Sequence, residues 1–218
     1  MFSLESFYKQ YETDTTELTI NGRRFRILLP KDLTGFINPE DILHEFPLWA
    51  KIWRASWVLA DFLAAMPAEA GKSLLEIGGG AGLVSIVAAA FGHRITLTEL
   101  NPDALQFARA NAVLNGCPQL AIRALDWNQP QLAETFDYIV ASEVTYKEEH
   151  VRTLLNLFNT YLKPAGAVYL TGEMRRVSRD FYQQLETAFD LRVQKKVLRS
   201  AEDETTVFLF RMTRKNAG

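Results

Sequence analysis

SLLEIGGGAGLVSIVAAA, residues 73–90, predicts three elements in succession: a strand, a glycine turn and a helix. Residues 73–77 form a short apolar run that is typical of a buried strand, and residues 83–90 continue as an apolar segment of helical length. The glycines at 78–80 and 82 lie between them, where a turn at a helix N-terminus lets a ligand approach bare backbone N–H groups. We therefore expect a ligand-binding site at this turn.

An acid follows at the spacing expected for ribose recognition. A second apolar run, residues 95–98, ends at Glu99, which comes 21 residues after Gly78. An acid at the end of the strand that follows a glycine turn can accept hydrogen bonds from both hydroxyls of a ribose. The turn and the acid together predict a cofactor that contains a nucleoside.

The glycine spacing distinguishes between nucleoside cofactors. A dinucleotide-binding turn carries the pattern G-x-G-x-x-G, whose third glycine would fall at position 83, and this position is Leu83. The observed pattern is an acid followed by alternating glycines, Glu76-x-Gly78-x-Gly80-x-Gly82. This pattern argues against NAD and favours a different nucleoside cofactor.

Composition bounds the class of protein. The chain has 218 residues, 48% of them hydrophobic and 23% charged, which fits one globular domain with extensions better than two domains. A net charge of -2 argues against wide contact with a nucleic-acid backbone and leaves room only for a local basic patch. The single cysteine, Cys117, excludes an intramolecular disulfide, and the three histidines lack metal-ligand spacing, so we expect no metal site.

The sequence shows no pattern of a membrane anchor or an export signal. Its first residues lack the basic stretch followed by an apolar one that a signal peptide requires. The longest apolar run, residues 81–91, is too short to span a bilayer. We expect a soluble cytoplasmic protein with no membrane partner.

The order of elements predicts an α/β fold. Asn21-Gly22 between two alternating runs predicts a β-hairpin with a type I′ turn, and residues 47–65 are expected to form a helix that carries three tryptophans at helical spacing. From residue 73 onward strands and helices alternate. The expected strands are 73–77, 94–99, 120–125, 136–141, 167–172, 191–198 and 205–212, and the expected helices are 81–91, 102–115, 148–162 and 178–189. This alternation indicates βαβ units, a parallel sheet and a ligand site at the carboxyl ends of its strands.

At those carboxyl ends the chain resembles the class I methyltransferases, which bind S-adenosylmethionine on a seven-stranded sheet. The resemblance covers about residues 47–212 and includes Leu162-Lys163-Pro164-Ala165-Gly166, which is similar to a motif that precedes a strand in this superfamily. It implies a Rossmann-like, doubly wound, seven-stranded and mostly parallel sheet with a C-terminal antiparallel β-hairpin. Residues 1–46 are then an N-terminal extension with a β-hairpin, and residues 47–218 are the methyltransferase domain.

More narrowly, the chain is similar to the protein-lysine methyltransferases called family 16. The supporting motifs are Ile52-Trp53, Glu76 to Val84, Asp126-Trp127 and Glu143-Val144-Thr145-Tyr146. The family carries D-x-x-Y after its fourth strand, and here Glu143 replaces the aspartate. The resemblance implies that the chain N-methylates a lysine of a protein substrate.

The resemblance also implies residue roles. It assigns Glu99 to the ribose hydroxyls, and Asp126 and Trp127 to the adenine. The residues expected to bind S-adenosylmethionine are Trp53, Glu76, Gly78, Gly80, Gly82, Glu99, Asp126, Trp127 and Ser142, and the expected catalytic residues are Glu143 and Tyr146. Structural interpretations also stay open. Glu76 can instead orient the loop, and Trp127 or Trp53 can instead be a core aromatic. Glu143 and Tyr146 can instead belong to a negatively charged loop.

Some neighbouring residues are expected to be structural. Trp49 and Trp57 are expected in the core, and His150 with residues 147–149 is expected to form a solvated helix start.

Three other functions remain open at this point. The acceptor can be an amine of a small molecule or a protein N-terminus. Methylation of nucleic acid is disfavoured, because Ser142 to Tyr146 does not form the N-P-P-Y type of motif and the net charge is -2. The third is a cofactor-binding interaction protein without turnover. The oligomeric state does not follow from the sequence.

Overall fold

The computed structural model describes residues 2–37, 46–144, 149–173, 183–199 and 204–215. Its helices are α1 (Leu4–Gln10), α2 (Arg54–Ala65), α3 (Leu83–Ala90), α4 (Pro102–Leu114) and α5 (Glu149–Tyr161), and residues 183–188 are also helical. Its strands are β1 (Thr13–Ile20), β2 (Arg23–Pro30), β3 (Leu74–Ile77), β4 (Ile95–Glu99), β5 (Ala121–Ala124), β6 (Phe136–Ser142), β7 (Leu162–Glu173), β8 (Phe189–Arg199) and β9 (Glu204–Arg214). No helix in these ranges is both long enough and apolar enough to cross a membrane.

Seven strands form one sheet in the order β5-β4-β3-β6-β7-β9-β8. The pairs β3/β4, β4/β5, β3/β6 and β6/β7 are parallel, whereas β9 is antiparallel to both β7 and β8. The chain moves outward from β3 in one direction through β4 and β5, and in the other direction through β6. This arrangement confirms the predicted doubly wound, mostly parallel sheet with a C-terminal antiparallel hairpin, and it places a switch point beside β3.

Helices cover both faces of the sheet because each strand alternates its side chains. Leu74 packs in the core cluster that includes α2, α3 and the N-terminal hairpin, whereas its neighbour Leu75 packs in the cluster that includes α5. Both leucines are at most 2% exposed. The apolar runs of the sequence are therefore buried on two sides, as parallel strands require.

The prediction of one helix over residues 47–65 is wrong for the residues before Arg54. A short 3-10 turn covers Leu48–Ala50, Lys51 is extended, and α2 begins only at Arg54, with Trp53 at its N-cap in an extended conformation (φ -84, ψ 146). The carbonyl of Leu48 accepts the indole N–H of Trp53 at 2.8 Å. The side chain of Trp53 thus holds the turn in place, and the three tryptophans do not lie on one helix.

The N-terminal segment folds as the expected β-hairpin and packs on α4. Asn21 and Gly22 have positive φ angles of 45° and 77°, as a type I′ turn requires. The side-chain amide of Asn111 both accepts from the N–H of Leu28 (2.7 Å) and donates to its carbonyl (3.0 Å). Residues of the hairpin therefore share a core with the sheet, and the boundary at residue 46 stays a prediction.

Asn115 makes the same pair of bonds one turn further along α4. Its amide accepts from the N–H of Arg26 (2.9 Å) and donates to the carbonyl of that residue (2.7 Å). The edge of β2 is thus bonded at two alternate residues to side chains four positions apart on a helix.

Candidate functional site

The predicted site residues that the structure describes line one cleft of about 670 Å³ at the carboxyl ends of the parallel strands. They are Trp53, Glu76, Gly78, Gly80, Gly82, Glu99, Asp126, Trp127, Ser142 and Glu143. Tyr146 lies outside the described residues. The parallel topology explains this convergence, because the loops that follow β3, β4, β5 and β6 all leave the sheet at the same edge.

The glycine turn has backbone conformations that other residues rarely adopt. Gly78, Gly80 and Gly82 have φ angles of 64°, 53° and 95°. A Cβ atom on Gly78 would lie 3.1 Å from the ring of Trp127, and one on Gly82 would lie 3.2 Å from the side chain of Ile86. Glycine is therefore required both by the backbone and by the closeness of its neighbours.

Gly79 is a further constrained position that the alternating glycine pattern does not reveal. A Cβ atom there would lie 2.7 Å from Cγ of Leu97 and 3.1 Å from a carboxylate oxygen of Glu76. The N–H of Gly79 donates to the carbonyl of Thr98 at 3.0 Å. The turn therefore packs directly on the end of β4.

Glu99 has its carboxylate fixed by backbone N–H groups. Oε2 accepts from Gly80 at 2.9 Å, and Oε1 accepts from Leu100 at 2.7 Å and from Asn101 at 3.0 Å. The side chain is half-buried and faces the cleft. Since a carboxylate can accept about four hydrogen bonds and three are made here, about one position remains for a hydroxyl donor of a ligand.

Glu76 is 1% exposed and holds the start of α3. Its Oε2 accepts from the backbone N–H of Ser85 at 3.1 Å and from the Ser85 hydroxyl. Burial raises the pKa of Glu76 to about 8, the bonds from Ser85 oppose this rise, and the charge of Glu99 adds to it. These contacts support the loop-orienting interpretation of Glu76. The sequence analysis did not single out Ser85.

Asp126 and Trp127 form the wall that faces the glycine turn. Asp126 accepts from the N–H of Asn128 at 2.8 Å, which shapes the turn after β5. The ring of Trp127 lies next to Gly78, and it also packs against the core cluster that includes Leu75. Trp127 can therefore be a half-buried core aromatic and still present its ring to a cofactor in the cleft.

His150 is part of this wall, contrary to the expected solvated helix start. It is half-buried, lines the cleft, and its ring lies edge-on to that of Trp127 with 5.7 Å between centroids. Sequence reasoning missed it because one histidine near a helix start gives no signal of its own.

Trp49 was expected to be a core residue, and it also lines the cleft. Its ring packs on Phe36 and Phe107, with centroids 5.3 Å and 5.2 Å away, as a core residue would. Its backbone also lies 3.5 Å from the position of a Cβ on Gly80, and it lines the cleft. The N-terminal segment therefore reaches the cleft through Phe36, which packs on Trp49. Trp57 packs against the core, as expected.

The end of β6 carries the predicted catalytic acid. Ser142 pairs with Thr171 of β7 in the sheet. Glu143 follows with a φ of 50°, is 7% exposed, and its backbone N–H donates to the carbonyl of Thr171 at 2.9 Å. Its Oε1 accepts from the N–H of Glu173 at 2.8 Å. The carboxylate therefore borders the cleft while one of its oxygens binds the neighbouring strand.

Comparison with known proteins shows a family for this chain and supports its fold. The model of a family described as lysine methyltransferase matches residues 44–188. The chain is 30% identical over 131 residues to EEF1A lysine methyltransferase 3 of Mus musculus, an alignment covering 58% of this chain and 56% of that protein. It is 32% identical over 156 residues to protein-lysine methyltransferase METTL21E of Bos taurus, covering 65% of this chain and 53% of that one. The alignments thus span little more than half of each relative.

A solved structure supports the fold independently of sequence. Precorrin-6y C5,15-methyltransferase of Geobacter metallireducens superposes with a TM-score of 0.60 at 16% identity, covering 73% of this chain and 87% of that structure. At this identity the likeness shows the fold alone.

Proposed function

The chain belongs to the lysine methyltransferase family, and we propose that it uses S-adenosylmethionine to methylate a lysine side chain in a protein substrate. The observation that carries the proposal is the single cleft in which the glycine turn, Glu99, Asp126-Trp127 and Glu143 meet. The family match covers all four of these features. The relatives named above act on protein lysines by their names, and the acceptor assignment rests on that likeness.

The residues of the cleft fit S-adenosylmethionine. Four of the five residues at 78–82 are glycines, which leaves little side-chain volume between the backbone and a ligand. The cleft volume of about 670 Å³ is in the range of small-molecule sites. Glu99 offers a remaining acceptor position at the end of β4, where a ribose hydroxyl would donate. Trp127 offers a flat apolar surface for the adenine, and Asp126 an acceptor for its amino group.

The bound cofactor supplies an electrophilic methyl group on a sulfonium, and the protein has to align an acceptor nitrogen with it. The acceptor must be neutral when it attacks. A lysine with an ordinary pKa of about 10.4 requires about 4.6 kcal/mol to lose its proton at pH 7. Partial burial and a nearby positive charge both lower the pKa of such an amine.

We assign Glu143 to capture and orientation of the lysine ammonium. An anion raises the pKa of a neighbouring amine, so Glu143 does not favour deprotonation by its charge. Glu143 would instead position the acceptor nitrogen. Its side chain borders the cleft and is 7% exposed, and the N–H of Glu173 in β7 holds its carboxylate in one orientation. Tyr146 is proposed to hydrogen-bond the same nitrogen, and this role rests on the sequence pattern alone.

The proposal also covers the cellular compartment of the protein and the part of the chain that carries the activity. We propose that the protein acts in the cytoplasm, where the buried thiol of Cys117 would stay reduced. Residues 47–218 would carry the chemistry, while Phe36 of the N-terminal extension contributes to the cleft wall.

The test is methyl transfer from radiolabelled S-adenosylmethionine to proteins of a cell extract. Label in bands that protease removes, located on lysine by mass spectrometry, supports the proposal. Label that enters only small molecules or nuclease-sensitive material contradicts the protein acceptor. Absence of label together with cofactor binding by calorimetry would indicate a binding protein without turnover.

A further inference from the structure

The C-terminal hairpin presents an unusual concentration of positive charge on one face. In β8 the residues 192–197 are all exposed, although they belong to a strand of the central sheet. Arg192 and Arg211 are direct cross-strand partners, so their side chains stand on the same face. Lys196 joins them, because residues four apart in a strand share a face. We call Arg192, Lys196 and Arg211 the basic hairpin face.

Among the described residues, the positive charges of this face have no ion-pair partner. Asp190, the one acid in β8, lies on the same face two residues from Arg192 and forms no ion pair among the described residues, so three cations and one acid leave this face with a net charge of +2. Like charges placed directly opposite each other destabilise a sheet, so the Arg192–Arg211 pair opposes folding unless an anion lies beside it.

The basic hairpin face lies close to the site of methyl transfer. Lys196 pairs with Val207 of β9, and Val207 pairs with Glu173 of β7, the residue whose N–H binds Glu143. Adjacent strands lie about 4.8 Å apart, so the Cα atoms of Lys196 and Glu173 are separated by about 10 Å. Since one side of a specific protein interface buries about 800 Å², a protein that inserts a lysine beside Glu143 would also cover Lys196.

The start of α2 connects this face to the cleft on the same side of the sheet. Val207 packs on Ala55 and Val58 of α2. Arg54, the first residue of α2, bonds the Thr205 hydroxyl of β9 and follows Trp53 of the cleft wall. The hairpin is therefore anchored beside the cleft and presents its charge at a defined position.

From this geometry we infer that the basic hairpin face docks an acidic region of the acceptor protein, located about 10–20 Å from the methylated lysine. The inference rests on the proposed function, because it assumes that a lysine is inserted at Glu143. An edge strand also uses charge to prevent association with other strands, but that purpose does not require two arginines to face each other. Single-stranded RNA is the less suitable partner, because the face formed by residues 190, 192, 194, 196 and 198 contains no aromatic side chain for base stacking.

The experiment compares two fluorescein-labelled peptides of about 20 residues, each with one lysine. One carries six glutamates that begin about five residues from the lysine, a distance of about 16 Å in an extended chain, and the other carries glutamines there. Fluorescence anisotropy at low salt measures binding to the full chain. We expect the glutamate peptide to bind at least about fivefold more tightly than the glutamine peptide, because surface charges interact measurably at low ionic strength.

Charge-reversal variants on the two faces of β8 test whether the basic hairpin face makes the contact. Lys196→Glu and Arg192→Glu should each abolish the preference for the glutamate peptide, whereas Lys195→Glu, on the opposite face of β8, should keep most of it. Equal loss in Lys195→Glu and Lys196→Glu would overturn the inference, as would tighter binding of an oligouridine RNA of the same length. Melting temperatures of all variants check that each one folds.

Methylation of the peptide lysine, followed in the same samples with labelled S-adenosylmethionine, separates the two proposals. Equal methylation of both peptides by wild-type protein would overturn the docking inference and leave the lysine assignment supported. Binding that depends on Lys196 without any methylation would support docking and contradict the lysine assignment.

Discussion

The carboxylate of Glu143 accepts the backbone N–H of Glu173 at 2.8 Å, so the predicted catalytic acid also joins the ends of β6 and β7. Replacement by alanine would remove the charge and this bond together. A loss of turnover in such a variant could therefore report either chemistry or a displaced strand end.

Glu143→Gln separates these effects, because the amide keeps an oxygen that can accept the Glu173 N–H and lacks the charge. We expect kcat/KM for the lysine substrate to fall by at least about tenfold, since a charge-assisted hydrogen bond to the lysine is worth about 1.5–3 kcal/mol. Cofactor affinity, measured by calorimetry, should stay within about threefold. Unchanged turnover would remove Glu143 from acceptor binding, and a large loss of cofactor affinity would assign it to the cofactor instead.

Glu99→Gln should weaken S-adenosylmethionine binding by at least about thirtyfold, or about 2 kcal/mol, because hydrogen bonds to a carboxylate are stronger than those to an amide. The matched control is Glu134→Gln, because this acid precedes β6, is paired with Arg123 at 2.8 Å and does not line the cleft. Calorimetry on both variants checks the prediction. Equal affinity in the two variants would exclude Glu99 from the ribose site.

Gly79→Ala should destabilise the glycine turn by about 1–3 kcal/mol, because the added methyl group would lie 2.7 Å from Leu97. Displacement of the turn should also weaken cofactor binding. Gly35→Ala is the control, since a Cβ atom on Gly35 has no atom within 4 Å. Denaturant unfolding of the two variants gives the difference in free energy, and a Gly79 variant as stable as the control would show that the turn is not tightly packed on β4.

Glu76 gives the stability of the protein a pH dependence. Burial raises its pKa from 4.5 in the unfolded chain to about 8 in the fold. The fold therefore binds this proton more tightly, and the resulting stability is full below about pH 4.5 and is lost as the pH rises through about 8.

Glu76→Gln imitates the protonated form and should remove this dependence. We expect the variant to become more stable than the wild type by a few kcal/mol as the pH rises from about 4.5 to about 8, since each pKa unit corresponds to about 1.4 kcal/mol. Urea unfolding at pH 4.5, 6.5 and 8 measures the difference. A constant difference across this range would mean that the pKa of Glu76 is not raised.

The sheet and most of the cleft followed from the sequence because parallel topology brings the ends of strands together. Glu99 and Asp126 were assigned to the carboxyl ends of strands, and in a parallel sheet all carboxyl ends lie at the same edge. That edge also carries Gly78. Their convergence is therefore a consequence of the fold class. The individual contacts of each side chain were not needed to predict it.

The remaining features depend on side-chain contacts between distant residues. The helical spacing of Trp49, Trp53 and Trp57 could not show that the Trp53 indole binds the Leu48 carbonyl and delays the start of α2. The positive φ of Glu143 and the contact of His150 with Trp127 likewise have no local sequence pattern. The residue roles in catalysis and cofactor binding stay predictions until the measurements above are made.

The two asparagines of α4 have a consequence for how the protein avoids association with itself. Four residues of helix rise about 6 Å and two residues of strand rise about 6.6 Å, so Asn111 and Asn115 match the repeat of β2 at Leu28 and Arg26. Their amides occupy the donors and acceptors that a third hairpin strand would otherwise use. The outer edge of β2 is thereby closed to strands of other molecules by a helix, without any loss of main-chain hydrogen bonding at these two positions.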